Sequence, residues 1–142
     1  MLKAVFPSLI LLLAATILSA DDPVRVIEDG EEDSTWIRTD RDGDGNFDYN
    51  LQINESGRKM YEELDFNHDG AMDDFYYYSD GVLERREIDS NYDGAVDIWV
   101  YLYEGVYIER YEMDKDFDGE VDKIETFGGE EAAEAGKEKK DK

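Results

Sequence analysis

Four stretches of the sequence set aspartates at alternate positions around one glycine. They are Asp40-Arg-Asp-Gly-Asp-Gly-Asn-Phe-Asp48, Asp65-Phe-Asn-His-Asp-Gly-Ala-Met-Asp73, Asp89-Ser-Asn-Tyr-Asp-Gly-Ala-Val-Asp97 and Asp114-Lys-Asp-Phe-Asp-Gly-Glu-Val-Asp122. The shared pattern is Asp-x-[Asp/Asn]-x-Asp-Gly-x-apolar-Asp. Short carboxylates at this spacing can curl around one hard cation, and the sixth-position glycine permits the sharp turn this needs. Calcium takes six to eight oxygen ligands at about 2.3–2.6 Å, so it is the expected ion, about four per chain. The expected ligands of loop 1 are Asp40, Asp42, Asp44 and Asp48 with the backbone carbonyl of Asn46. In loop 2 they are Asp65, Asn67, Asp69 and Asp73 with the carbonyl of Ala71. Loop 3 offers Asp89, Asn91, Asp93 and Asp97 with Ala95, and loop 4 offers Asp114, Asp116, Asp118 and Asp122 with Glu120. The bland alternative is a set of Asp-Gly turns closed by Asx hydrogen bonds without metal. Turns alone do not require Asp at the first and ninth positions as well. The eighth residues, Phe47, Met72, Val96 and Val121, are apolar and are expected to anchor each loop to a core.

The loops start 25, 24 and 25 residues apart, which marks tandem structural units. An EF-hand needs Glu at the twelfth loop position and a helix on each side. The residues at that offset are Leu51, Tyr76, Val100 and Glu125, so only the last conforms. The flanks read as strands instead: Tyr49–Ile53, Phe75–Tyr78, Ile98–Tyr103 and Lys123–Phe127 after the loops, then Lys59–Leu64, Val82–Ile88 and Val106–Met113 before the next. They are short, rich in Tyr, Val and Ile, and bounded by Gly, Asn and Asp. A half-unit precedes them, with strands at Val24–Ile27 and Ser34–Thr39. The expected fold is all-β: an antiparallel meander of about nine short strands built from 24–25-residue repeats, each with a calcium loop. Alternation puts Ile98, Val100 and Leu102 on one face and Trp99, Tyr101 and Tyr103 on the other. Neither face is polar, so both would be covered if the sheet curled or stacked, and an aromatic face left open would be a binding surface.

The loops resemble the calcium-binding β-hairpin loops of integrin-type FG-GAP repeats, which share the Asp-x-Asp-x-Asp-Gly-x-x-Asp core. The whole unit is similar to tandem repeats of secreted or lipid-anchored bacterial proteins. The likeness covers roughly residues 27–127, and it implies calcium binding on a β fold without a known activity. FG-GAP propeller blades are much longer than 25 residues, so no propeller is implied, and the cysteine of the lipid-anchored proteins is absent.

The chain ends frame this unit. Residues 1–20 carry Lys3, then an apolar run from Val5 to Leu18, then Ser19-Ala20, which reads as a signal peptide cleaved after Ala20. The expected location is therefore secreted or periplasmic, with no membrane span after cleavage. Residues 21–127 form the repeat domain, and 128–142, rich in Gly, Glu, Ala and Lys, read as a disordered tail.

Composition narrows the function. The net charge is −23, and loss of residues 1–20 with Lys3 makes it −24. Nucleic acid and anionic membranes need a basic face and are not expected partners. There is no cysteine and one histidine, His68, so thiol and Ser-His-Asp chemistry are excluded. His68 lies between two ligand positions and is expected to point outward. Nothing singles out a catalytic carboxylate pair, and Asp73-Asp74 is explained by the loop pattern. The leading expectation is a non-enzymatic calcium-binding protein with a structural or adhesion role. The alternatives are a carbohydrate- or protein-binding module with an aromatic face, and an EF-hand-like calcium protein.

Overall fold

A computed structural model describes residues 23–31 and 33–128. The expected signal peptide and nearly all of the tail lie outside the described residues. Nine strands are present among the described residues: β1 (Val24–Asp29), β2 (Ser34–Asp40), β3 (Tyr49–Asn54), β4 (Lys59–Leu64), β5 (Asp74–Ser79), β6 (Val82–Ile88), β7 (Ile98–Tyr103), β8 (Tyr107–Met113) and β9 (Lys123–Thr126). They pair in sequence order as one antiparallel sheet, a meander. No helix occurs among the described residues, and strands flank every aspartate loop. That removes the helix-loop-helix alternative.

Antiparallel succession fixes where the connections lie. Odd-numbered connections are tight turns and all fall at one end of the sheet. Even-numbered connections are the four aspartate loops and all fall at the other. Tight turns follow local chemistry: Asp80 and Gly81 both have positive φ, the geometry that two-residue hairpins require. Each later hairpin also carries one register shift, at Gln52/Ile53, Tyr77/Tyr78 and Tyr101/Leu102. A bulge repeated at one place in every unit bends and twists the sheet in the same way each time.

Register separates two faces. On one, Ile37, Leu51, Glu62, Tyr76, Arg86, Val100 and Tyr111 form a row, and Tyr49, Leu64, Asp74, Ile88, Ile98 and Met113 form a second row nearer the loops. This is the aliphatic face. On the other, Trp36, Gln52, Tyr61, Tyr77, Arg85, Tyr101 and Arg110 form a continuous row. This is the aromatic face. The expected split of Ile98, Val100 and Leu102 from Trp99 and Tyr101 is observed.

The expectation of a core is corrected. No apolar side chain is buried among the described residues. Val121 is exposed and Phe47, Met72 and Val96 are half-buried, so the eighth loop residues have no core to anchor in. A single sheet layer has two faces, and among the described residues no second layer covers either. What is buried instead is polar: Asp40, Asp48, Asp65, Asp73, Asp74, Asp89, Asp97 and Asp114, with Ser34, Thr39, Asn50 and Glu62.

Side-chain ladders hold the layer together across strands. On the aromatic face Trp36 meets Tyr61 edge-on at 6.0 Å and Tyr61 meets Tyr77 at 5.1 Å. Arg85 then lies 4.1 Å over Tyr77, and Arg110 4.1 Å over Tyr101. Each cation–π contact of this kind contributes about 0.5–1 kcal/mol at an exposed site. On the aliphatic face Asp74 and Glu62 each meet one cation and at least one tyrosine hydroxyl. Asp74 accepts from Arg86 Nε at 2.8 Å and from the Tyr76 hydroxyl at 2.9 Å. Glu62 accepts from Lys59 at 2.8 Å, from Tyr78 at 2.6 Å and from Tyr49.

Candidate metal-binding loops

Each loop begins where one strand ends and returns through its ninth residue, whose amide donates to the carbonyl just before the loop. Asp48 donates to Thr39, Asp73 to Leu64, Asp97 to Ile88 and Asp122 to Met113, all within 2.8–3.0 Å. A second bond ties each loop to the next. The amides of Asp65, Asp89 and Asp114 donate to the carbonyls of Asp48, Asp73 and Asp97. The ladder thus continues into the loops, which stand side by side at one end of the sheet. Neighbouring loops are two strands apart, about 10 Å.

Inside each loop the first aspartate organises the turn. Asp65 accepts the His68 amide on one oxygen at 2.7 Å and the Gly70 amide on the other at 2.8 Å. Asp40, Asp89 and Asp114 do the same with Gly43 and Gly45, Tyr92 and Gly94, and Phe117 and Gly119. The fourth residue is left-handed in every loop, with φ of 80° at Gly43, 59° at His68, 62° at Tyr92 and 60° at Phe117. The sixth is a left-handed glycine throughout, with φ from 89° to 99°. The ninth aspartate accepts the amide of the second residue: Asp48 from Arg41, Asp73 from Phe66, Asp97 from Ser90 and Asp122 from Lys115.

The third and fifth positions make Asx turns of their own. Asp42, Asn67 and Asn91 accept the amides of Asp44, Asp69 and Asp93, and the fifth residues accept from Asn46, Ala71, Ala95 and Glu120. These amide bonds do not exhaust the donor set. A carboxylate offers about four lone-pair sites, so oxygens bonded to amides can still meet an ion.

Convergence differs among the loops. Asp40, Asp42 and Asp44 in loop 1, and Asp114, Asp116 and Asp122 in loop 4, each bring one oxygen within 4.8 Å of the others. That donor set, all oxygen, suits a hard cation such as calcium. Loops 2 and 3 form no such three-carboxylate cluster among the described residues. Asn67 and Asn91 occupy their third positions, and their amide groups donate to Asp69 and Asp93 at 2.8 and 2.9 Å.

Crowded negative charge leaves its mark. Repulsion from Asp118 and Asp122 raises the Asp116 carboxyl above its ordinary value. Burial raises Asp73, and Asp65 and Asp69 add to this against the lowering effect of the Phe66 and Asn67 amides. Asp48 behaves in the opposite way: burial pushes it up, but the Arg41 amide and His68 outweigh that and hold it low.

His68 is exposed, as expected, but its ring leans onto the neighbouring loop. Its Nδ1 lies 2.7 Å from Asp48 and 3.3 Å from Asp42, both in loop 1. The left-handed fourth position turns the side chain back onto the preceding loop. The hydrogen bond to Asp48, with the attraction of Asp48 and Asp42, raises the imidazole above its ordinary value. No sequence signal marks this contact, because the fourth position varies as freely as the second and the seventh: Gly43, His68, Tyr92 and Phe117 in turn. Asp74, beside the ninth position of loop 2, is fully buried and belongs to the sheet through Arg86 rather than to the loop.

No family model matches the sequence. No curated protein matches it either. Among solved structures, the chain is similar to one in the crystal structure of accessory secretory protein 1, 2 and 3 in Streptococcus pneumoniae. The identity is 13% and the TM-score 0.48, over 78% of this chain and 20% of that one. The chain thus spans about a fifth of the length of that neighbour, and the likeness carries no functional argument.

Proposed function

We propose that this is an exported, non-enzymatic calcium-binding repeat protein in which each of the four loops holds one Ca²⁺ and the sheet serves a structural or adhesive role. The observation that carries this reading is the sameness of the loops: one hydrogen-bonding scheme, repeated four times, with aspartates at matching positions along one end of the sheet. The candidate side-chain ligands hold four, three, three and four negative charges from loop 1 to loop 4. Four ions would take residues 21–142 from −24 to −16. Ions that bind the folded form stabilise it by mass action, so calcium becomes part of the folding free energy. Extracellular modules of this kind bind at about 10⁻⁴–10⁻³ M, which suits the millimolar calcium outside cells.

The alternative of a glycan- or protein-binding aromatic face has less support. The Tyr77 and Tyr101 rings are covered by Arg85 and Arg110, and the row as a whole is half-buried. The more exposed aromatics lie elsewhere: Phe66, Tyr92 and Phe117 in the loops, and Tyr103 and Tyr107 at the turn end of β7 and β8.

The test is calorimetric titration of the chain recovered after export, with far-UV circular dichroism alongside. Saturation near four ions per chain with a gain of β signal is expected. No heat up to several millimolar calcium, with β structure already complete, would reduce the loops to Asx turns and end this reading.

A further inference from the structure

Most arginines of this chain are paired. Five of the seven meet a carboxylate, from Arg38 with Glu28 to Arg110 with Glu112. Arg25 and Arg41 form no such pair among the described residues, in a chain with 38 Asp and Glu. These two line the same cleft, of about 450 Å³, on the aliphatic face beside loop 1. That volume lies within the range of small-molecule sites, about 300–1,000 Å³.

Register explains how the strands build it. Arg25 faces Thr39 and Thr39 faces Tyr49, and the next row on the same face sets Ile37 against Leu51. Arg41 follows β2 into loop 1, and its guanidinium lies 5.1 Å over the Tyr49 ring. The cleft therefore has a cationic end at the loop and an apolar end toward the middle of the sheet. No carboxylate lines it. Asp40 and Asp48, which precede Arg41 and Tyr49, accept backbone amides inside loop 1. The Tyr49 hydroxyl is given to Glu62, so this tyrosine offers the cleft its ring alone.

The two ends define a ligand. A guanidinium presents a planar fork that matches a carboxylate bidentately. Each negative charge brought to a chain of net −23 meets repulsion, so one charge is favoured over the two of a phosphate monoester. Ile37, Leu51 and the Tyr49 ring suit an apolar group, whose removal from water is favourable. We propose that the cleft binds a small carboxylic acid in its anionic form, with the carboxylate between Arg25 and Arg41 and the apolar group along Ile37 and Leu51. The site uses none of the proposed calcium ligands, so it stands apart from the calcium reading.

The test is a titration of the chain with 4-phenylbutyrate followed by amide NMR shifts, once in millimolar calcium and once in chelator. The same spectra report folding. Saturable shifts confined to β1, β2 and β3 near loop 1 are expected in at least one condition. Arg25→Gln and Arg41→Gln are each expected to keep a folded spectrum and weaken binding about tenfold or more, through loss of charge-assisted hydrogen bonds. Arg58→Gln, whose arginine pairs with Asp80 at the turn end, is expected to bind as wild type. 4-Phenylbutanol carries the apolar group alone and acetate the carboxylate alone; each is expected to bind at least about tenfold more weakly. A folded chain with no localised shift in either condition overturns the proposal. So does binding that centres elsewhere, or that survives both arginine substitutions. Tighter binding of 3-phenylpropyl phosphate overturns the assignment to a carboxylate.

Discussion

At the scale of the residue, the first aspartate of each loop builds the turn and is also one of the proposed ion ligands. Asp89 holds the amides of Tyr92 and Gly94 while it lies among the proposed ligands of loop 3. Asp93 is more exposed and accepts only the amides of Asn91 and Ala95. Replacing Asp93 with Ala is expected to lower calcium stoichiometry from about four to about three in calorimetry, with the β spectrum retained in excess calcium. Asp89→Ala is expected to lose the site and loosen the loop as well, because two amides lose their acceptor at about 1 kcal/mol each.

Glu62 offers a residue-scale test far from the loops. Burial pushes its carboxyl up, but bonds from Lys59, Tyr49 and Tyr78 outweigh burial and hold it below the usual glutamate value. A depressed carboxylate contributes stability that is present above its unfolded value of about 4.5 and is lost as pH falls through its lower folded value. Glu62→Gln is therefore expected to cost about 2 kcal/mol at pH 7 in urea unfolding, since charge-assisted bonds are removed. The gap between variant and wild type is expected to close as pH falls below about 4.5. An unchanged gap at low pH would mean that packing, not charge, explains the loss.

At the scale of the element, the hairpins at the end opposite the loops depend on glycine. Glu104 and Gly105 both have positive φ, and a Cβ on Gly105 would stand 3.0 Å from Val82 Cγ1. Gly105→Ala is expected to cost about 1–2 kcal/mol, from left-handed strain plus the crowding of β6. Differential unfolding in urea would measure it. By contrast Gly94 has no atom near its Cβ position, so Gly94→Ala is expected to suffer the strain of its 90° φ alone.

At the scale of the whole molecule, stability has an unusual source. Without a buried apolar side chain among the described residues, cohesion comes from strand pairing, cation–π rows and ion pairs, and the loops add repulsion. Chelator is expected to lower the melting temperature of the chain, and sodium chloride is expected to restore part of it. Salt screens the like charges of a −23 chain beyond a Debye length of about 8 Å at physiological strength. A melting temperature in chelator that is indifferent to salt would place the repulsion elsewhere.

The sequence by itself determined the strands, their order and the loop positions. Turn residues, β-branched and aromatic runs, and the repeat are local signals, and a 24–25-residue unit leaves only a meander as the short connection. Only the tertiary structure decided what lies on either side of the sheet. Alternation separates Val100 from Trp99 but does not say whether another layer covers either, because that depends on chain far away or on a second molecule. The same holds for His68: its spacing marks a loop position, and only the pairing of β3 with β4 brings loop 2 against loop 1 so that its ring reaches Asp48.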